Sequence, residues 1–359
     1  MSLGSHAIGT ATTPAAASAS GGHPSSLPLV SVCISAYNVE KFLHQSLGSV
    51  VAQTYPNLEV ILIDNGSADR TFDVARSFVD DRVHCFRVPV NLGGYQAMNK
   101  VASMARGELI AIYHSDDYYQ PDIVAKEAAY LQAHPEVGAV FCLQHYIDEQ
   151  GRIFGGAGLP REFLGKESLG YKEIFRYILR NKNTLICCPT FMVRKSVFDA
   201  VGPFDPETFN IACDNEMWLR IARQFPIAIL NERLMGYRVG EWQWTARYRR
   251  LRTEPDWHFA VMDHFLAKDG WLNELSADDL VEYEFHRCDD NTVRAVNHLI
   301  LGETGRAREL LALPFPWRTL KNGIRRRKLR LLALRTMLKS GFAIGATHAM
   351  VPLLRRIGP

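Results

Sequence analysis

Short, mostly apolar runs alternate with longer stretches of helical spacing through the first two thirds of the chain. The runs Leu29–Ser35, Leu58–Ile63, Val83–Val88, Leu109–Tyr113 and Val137–Gln144 read as strands, the first and fourth of them buried. Between them, Val39–Ala52 sets Phe42, Leu43, Leu47, Val50 and Val51 at helical spacing. Asp69–Val79, Gly93–Ala105 and Asp122–Ala133 continue the alternation as helices, the last opened by Pro121. Strands joined through helices of this length need right-handed crossovers, which makes the sheet mostly parallel and the class α/β.

After Gly151 the rhythm changes. A Gly-rich loop at 155–158 precedes a helix near Tyr171–Leu179, a short strand at Thr190–Val193 and a helix ended by Gly202 and Pro203. A further helix through Glu216–Gln224 and a strand at Ile227–Leu230 follow. Beyond about Thr245 only helical patterns remain, over 246–267, 278–300 and 304–312. The chain therefore divides into a tail (1–27), an α/β domain (28–244) and an α-helical C-terminal extension (245–359).

Composition narrows the class. With 359 residues and 47% hydrophobic content, the chain can bury a sizeable core. Residues 1–27 are rich in Ala, Ser, Gly and Thr and hold no charged residue, which reads as a disordered tail rather than a secretory signal. Ser340–Leu354 is too short to cross a bilayer. Seven cysteines without a CxxC spacing suit the reduced thiols of a cytoplasmic protein, and the vicinal pair Cys187–Cys188 reads first as core.

The net charge of +3 points to no nucleic acid, but its distribution is uneven. After Glu309 there is no acidic residue, and Trp317–Lys339 interleaves Arg and Lys with Leu, Ile and Met. A basic amphipathic helix of this kind suits an anionic membrane surface, at about 1 kcal/mol per basic residue. A helix packed on its own domain, with a solvated charged face, and a nucleic-acid-binding arm are the two other readings.

The candidate chemistry sits at strand ends. "SAYN" (Ser35, Ala36, Tyr37, Asn38) follows the first strand, and Asp64 closes the second in "LIDNGSADRT". Asn91 and two glycines open the third helix in "NLGGYQAMN", and "HSDD" (114–117) follows the fourth strand. All lie where open α/β sheets bind ligands. The adjacent charges of Asp116 and Asp117 are costly unless neutralised, as by a divalent cation carrying a diphosphate. Each motif has a bland reading: an Asx turn at Asp116–Asp117, an Asn-Gly turn at Asn65–Gly66, a helix cap at Asp69. No GxGxxG follows any strand, which argues against a dinucleotide oxidoreductase.

In this order, the segments resemble the family 2 glycosyltransferases over about residues 29–240. The resemblance implies the GT-A fold (Rossmann-like, a mostly parallel sheet flanked by helices) and transfer from a nucleotide-diphospho-sugar. It implies that Ser35, Ala36, Tyr37, Asn38 and Asp64 hold the nucleotide, with Asn91 at the same crevice. A carboxylate accepting a pyrimidine N–H favours UDP or dTDP. It further implies Mg²⁺ or Mn²⁺ on Asp117, with Asp116 contacting metal-bound water or ribose; His114 stands where many members carry aspartate.

In "IACDNEMWLR" the resemblance places the catalytic general base on Asp214, with Cys213 replacing the usual glutamate and Glu216 as the alternative base. The bland reading of Asp214 is an N-cap. In "YRVGEWQWT" it places a phosphate partner on Arg238, while Gly240 stands where a metal histidine is common; Trp242 and Trp244 could stack on a sugar or fill a lid. The expected function is inverting transfer to a hydroxyl of a surface polysaccharide or lipid-linked glycan, in the cytoplasm or on the inner face of the membrane. The alternatives are a non-catalytic nucleotide-sugar-binding or membrane scaffold protein, and a sugar nucleotidyltransferase. The latter needs a Gly-rich basic loop after the first strand, which "SAYNVEKF" lacks.

Overall fold

The computed structural model describes residues 27–243, 248, 251–270, 275–313 and 329–357. The tail up to Ser26, Trp244 and residues 317–328 of the basic run lie outside them.

The chain opens with the expected alternation: β1 (Val30–Ala36), α1 (Glu40–Val51), β2 (Leu58–Asp64), α2 (Thr71–Arg76), β3 (Val83–Arg87), α3 (Gly94–Ala102) and β4 (Leu109–His114). There follow β5 (Tyr118–Tyr119), α4 (Ile123–Ala133), β6 (Ala139–Ile147), β7 (Ile153–Gly156), α5 (Tyr171–Asn181), β8 (Phe191–Arg194), α6 (Lys195–Val201), α7 (Pro206–Phe209), α8 (Cys213–Ala222) and β9 (Ile227–Arg238). The strands form one sheet in the order β3-β2-β1-β4-β8-β6-β9-β5, with β7 on the edge of β6. From β3 to β4 every pairing is parallel; beyond β4 the sheet is mixed, with only β6 and β9 parallel. The two-residue β5 and the glycine-bearing β7 carry too little apolar pattern to be read from sequence. β9 extends well past the expected Leu230, because its second half is a polar stretch held by pairing to β6 and β5.

Alternation along the strands feeds two apolar layers. Val30, Val32 and Ile34 of β1 pack with Leu43 and Leu47 of α1, while Cys33 joins Ile110, Ile112, Phe141 and Trp218 on the other face. Each fully buried Leu or Ile contributes about 1.5–3 kcal/mol, so the parallel half is a rigid platform for the loops at its end.

Helices α9 (Trp257–Asp269), α10 (Ala277–Ile300), α11 (Thr304–Ala312), α12 (Leu329–Ala343) and α13 (Thr347–Ile357) complete the described chain. The core does not stop at residue 245: Phe259, Met262, Phe265 and Tyr283 belong to the same cluster as Trp218. Asp279 ties α10 to α5 through Arg176 and Arg180, at 3.2 and 3.5 Å. A separate cluster gathers Ala295, Leu299, Leu311, Leu338 and Leu354. In α12 the buried Arg335 donates to Thr292 and to the carbonyls of Leu311 and Leu313. That part of the basic run is packed on its own helices, because Leu338 and Arg335 have partners inside the protein. Among the described residues, no helix is long and apolar enough to cross a membrane.

Candidate active site

Chain order places the crevice. β1 pairs with β2 on one side and β4 on the other, so the topological switch lies between β1 and β4. Register puts Ser35 beside His114 and Ala36 beside Asp64. Three of the four strand-end motifs thus meet in one row.

On the β2 side, Asp64 is fully buried; its Oδ1 accepts the Ser67 N–H at 3.2 Å and its Oδ2 lies 3.0 Å from Arg87 Nε. No donor is aligned on Oδ2, so the guanidinium balances its charge while the oxygen keeps acceptor capacity. Gly66 has φ +76°, and a Cβ there would meet the backbone of Val90 at 2.7 Å, so the turn after Asp64 requires glycine. Asn65 pins the next loop: its Nδ2 donates to Asn91 Oδ1 at 3.0 Å and its Oδ1 accepts the Leu92 N–H at 2.9 Å. Asn91 Oδ1 also accepts the Gly93 N–H, so this side chain holds the loop that opens α3. Tyr37 is exposed at the crevice, and Asn38, at φ +48°, exchanges hydrogen bonds with Ser67 and Ala68. Asp69 accepts from the Glu40 and Thr71 N–H groups, although the N-cap of α2 is Arg70.

On the β4 side, ligand atoms of His114, Asp116 and Asp117 lie within 4.8 Å of one another. Asp117 is fully buried; its Oδ1 accepts the Arg238 N–H at 2.8 Å, whereas Oδ2 has no hydrogen-bond partner and lies 3.7 Å from His114 Nδ1. Burial, reinforced by the charge of Asp116, pushes the Asp117 carboxyl well above the usual carboxylate range. Burial lowers His114, against the opposing charge of Asp116. An orphaned buried oxygen, a second carboxylate and an imidazole fit a hard divalent cation. The residues present therefore suit the metal that the resemblance implied.

Arg238 differs from the expectation of a phosphate partner. Its side chain is turned inward: Nε donates to the Asp116 carbonyl, Nη1 to the carbonyls of Asp148 and Glu149, and Nη2 to Gln45, all within 3.0 Å. The guanidinium also lies 4.9 Å from the Phe42 ring. It braces the Asp116–Asp117 loop, and the protein's own acceptors occupy it. Trp242 packs at a tilt against the Phe42 ring and donates Nε1–H to Asp116 Oδ2 at 3.3 Å. Its ring covers Gly240, where a Cβ would come within 1.8 Å of it. A side chain at 240 would therefore oblige the Trp242 ring to move. Trp244 lies outside the described residues.

Asp214 sits in the first turn of α8, but Ala212 is the N-cap, so the bland capping reading does not hold. Its Oδ1 accepts the Asn215 N–H at 2.6 Å, and the Tyr95 hydroxyl of α3 hydrogen-bonds to its carboxylate. Burial outweighs these bonds and raises its pKa to about 6. Glu216 is bound to Arg220 at 2.8 Å, and Arg220 in turn holds the carbonyls of Val201, Gly202 and Pro203, which removes the alternative base from the site. Burial, with the charges of Asp117 and Asp214, raises the Cys187 and Cys188 thiols. Sequence reasoning missed Asn65, Arg87 and Tyr95 as supporting groups. Arg87 alone carried a signal, a cation next to Asp64 once β3 is paired in register.

Comparison with known proteins gives the family and the fold. Residues 31–202 match the profile described as glycosyl transferase family 2. An uncharacterized glycosyltransferase of Methanocaldococcus jannaschii is 30% identical over 217 residues, 59% of this chain and 71% of the relative. The UDP-Glc:alpha-D-GlcNAc-diphosphoundecaprenol beta-1,3-glucosyltransferase WfaP of Escherichia coli is 26% identical over 54% of this chain and 70% of its own length. Among solved structures, the mannosyltransferase PcManGT of Pyrobaculum calidifontis, in complex with GDP-Man and Mn²⁺, superposes with a TM-score of 0.50. That alignment covers 91% of this chain and 88% of the mannosyltransferase at 18% identity, a likeness of fold.

Proposed function

The chain belongs to glycosyl transferase family 2, and we propose that it transfers a sugar, with inversion, from a UDP- or dTDP-sugar to a hydroxyl of a cell-envelope glycan. The observation that carries this reading is the pair of unlike buried carboxylates at one crevice: Asp117 with an orphaned oxygen, and Asp214 with a pKa of about 6. Asp214 carries the raised carboxyl that suits a general base near neutral pH, and Asp117 the free acceptor that suits a hard cation.

In this reading Asp64 accepts the N–H of a pyrimidine through its unspent Oδ2, while Ser35, Ala36, Tyr37 and Asn38 line the base and Asn91 holds the facing loop. Asp117 and Asp116, with His114 beside them, would hold Mg²⁺ or Mn²⁺, which when bound neutralises the diphosphate leaving group. Arg238 keeps the loop in place from behind. Asp214, ionised, takes the proton from the acceptor hydroxyl as that oxygen attacks the anomeric carbon opposite the nucleoside diphosphate, which inverts the centre. WfaP acts on a diphosphoundecaprenol-linked sugar. By that analogy the acceptor here is a lipid-linked glycan, met from the cytoplasmic side, with the basic run at 317–328 drawn to anionic lipid.

The test is isothermal titration of UDP, dTDP and GDP with and without Mn²⁺, on the wild type and on Asp117→Ala. UDP or dTDP binding that needs both the metal and Asp117 supports the donor half. Tighter binding of GDP would overturn the pyrimidine assignment, and no binding of any nucleotide would overturn the metal-dependent mechanism.

A further inference from the structure

The β6–β7 hairpin carries a row of aromatic side chains with no role in the site described above. In register, Tyr146 of β6 pairs with Tyr237 of β9 on one side and Gly155 of β7 on the other. Cross-strand partners share a face, so Tyr146 and Tyr237 stand side by side. The last β5 pairing, Tyr118 with Gly236, puts Asp117 one step on, beside Tyr237. The β6–β7 pairing shifts between Tyr146 and Ile147, which leaves Phe154 as the extra residue of a bulge. Its ring stacks on Tyr146 at 6.3 Å and 27°. The row Phe154–Tyr146–Tyr237 therefore leads from the sheet edge to the metal carboxylate, across three strand spacings or about 14 Å.

This row is open and has unmet polar capacity. Phe154 is 63% exposed, an unusual position for a phenylalanine on an edge strand. Gly155 leaves the edge of Tyr146 bare, since even a Cβ there would lie 3.3 Å from the ring. Two residues before Tyr146, on the same face, Gln144 is only 5% exposed, and its Oε1 has no partner; its Nε2 is 3.5 Å from the Tyr146 hydroxyl. Of the nearby cations, Arg233 donates Nε–H to the Ala157 carbonyl and Arg152 pairs with Asp148, each at 2.7 Å.

Apolar ring faces beside an unpaired amide oxygen match a neutral pyranose, whose C–H face stacks while its hydroxyls donate. We propose that Phe154, Tyr146 and Tyr237, with Gln144, form an acceptor subsite that stacks a sugar ring of the glycan a few units from the reacting hydroxyl. This deepens the glycosyltransferase reading and rests on it for the word acceptor.

The test uses the full chain, with cellotetraose as the sugar probe and UDP with Mn²⁺ as the donor probe. Saturation-transfer NMR should show the probe's ring C–H protons against aromatic resonances in the wild type. Phe154→Ser and Gln144→Leu should each weaken cellotetraose at least tenfold, and Phe154→Tyr should restore it, with UDP affinity within twofold throughout. Equal cellotetraose affinity in wild type and variants, or none in a wild type that binds UDP, would overturn the subsite. So would a dimer in solution that Phe154→Ser dissociates, since a second copy would then cover the row. A wild type that binds cellotetraose through Phe154 but no nucleotide keeps the sugar site and sinks the donor reading instead.

Discussion

Arg238 donates its backbone N–H to Asp117 Oδ1 at 2.8 Å, while its guanidinium holds the carbonyl of Asp116 from the other side. One residue at the end of β9 thus fixes both members of an acidic pair that lies 121 positions earlier in the chain. A loop with two adjacent carboxylates would otherwise splay, since like charges repel and Oδ2 of Asp117 has no partner.

Replacing that brace leaves acceptors bare. Arg238→Met is expected to leave the half-buried carbonyls of Asp116, Asp148 and Glu149 without their donor. Urea denaturation should show a loss of about 1–3 kcal/mol in all, and Mn²⁺-dependent UDP binding should weaken with it. A variant as stable as the wild type would show that the loop stands without Arg238.

Asp214 sets a pH dependence with a definite sign. A general base acts ionised, so kcat/KM should fall tenfold per pH unit below about 6 and level off above it. For stability the sign is opposite: a carboxyl raised in the fold favours the native state when protonated, and that contribution is lost as pH rises through about 6. Asp214→Asn should therefore lower kcat by about 10²–10⁴-fold. The same variant should unfold at higher denaturant than the wild type at pH 8, with no such gain below pH 4. An active Asp214→Asn enzyme would remove the base from this residue.

Tyr95 acts on that base through its hydroxyl, which favours the carboxylate form. Tyr95→Phe should move the acidic limb of the pH profile upward, because burial is then less opposed. An unchanged limb would make Tyr95 a packing residue only.

Trp242 holds a carboxylate of the candidate metal site. Trp242→Phe keeps a ring over Gly240 but removes the donor to Asp116, and groups of this kind hold about 10–100-fold in metal affinity. Isothermal titration of Mn²⁺ should show a loss in that range. Gly240→His should not strengthen Mn²⁺ binding, because its Cβ collides with the Trp242 ring.

Much of this was legible in one dimension. The runs around Val32, Leu62 and Ile112 are buried on both faces, so their apolar character alone marks strands of a covered parallel sheet. Asp64, Asp116 and Asp117 could be placed at strand ends because a strand stops where the apolar run stops. Asp214 was legible only through its resemblance to a family motif, since a local reading favours a cap.

The second half of β9 could not be read this way, nor could the inward turn of Arg238. Both depend on partners far along the chain: β6 and β5 hold a polar strand, and Gln45, Asp148 and Glu149 bring acceptors to one guanidinium. A sequence states which groups carry charge or hydrogen-bonding capacity, because those are properties of single residues. Whether a charge meets a ligand or is spent on the protein's own backbone depends on where distant segments converge, and only the packed chain decides that. Sequence by itself determined the alternating sheet and the candidate acids. Tertiary structure decided that Arg238 and Glu216 are consumed, that the Trp242 ring lies over Gly240, and that Asp117 retains an oxygen to offer.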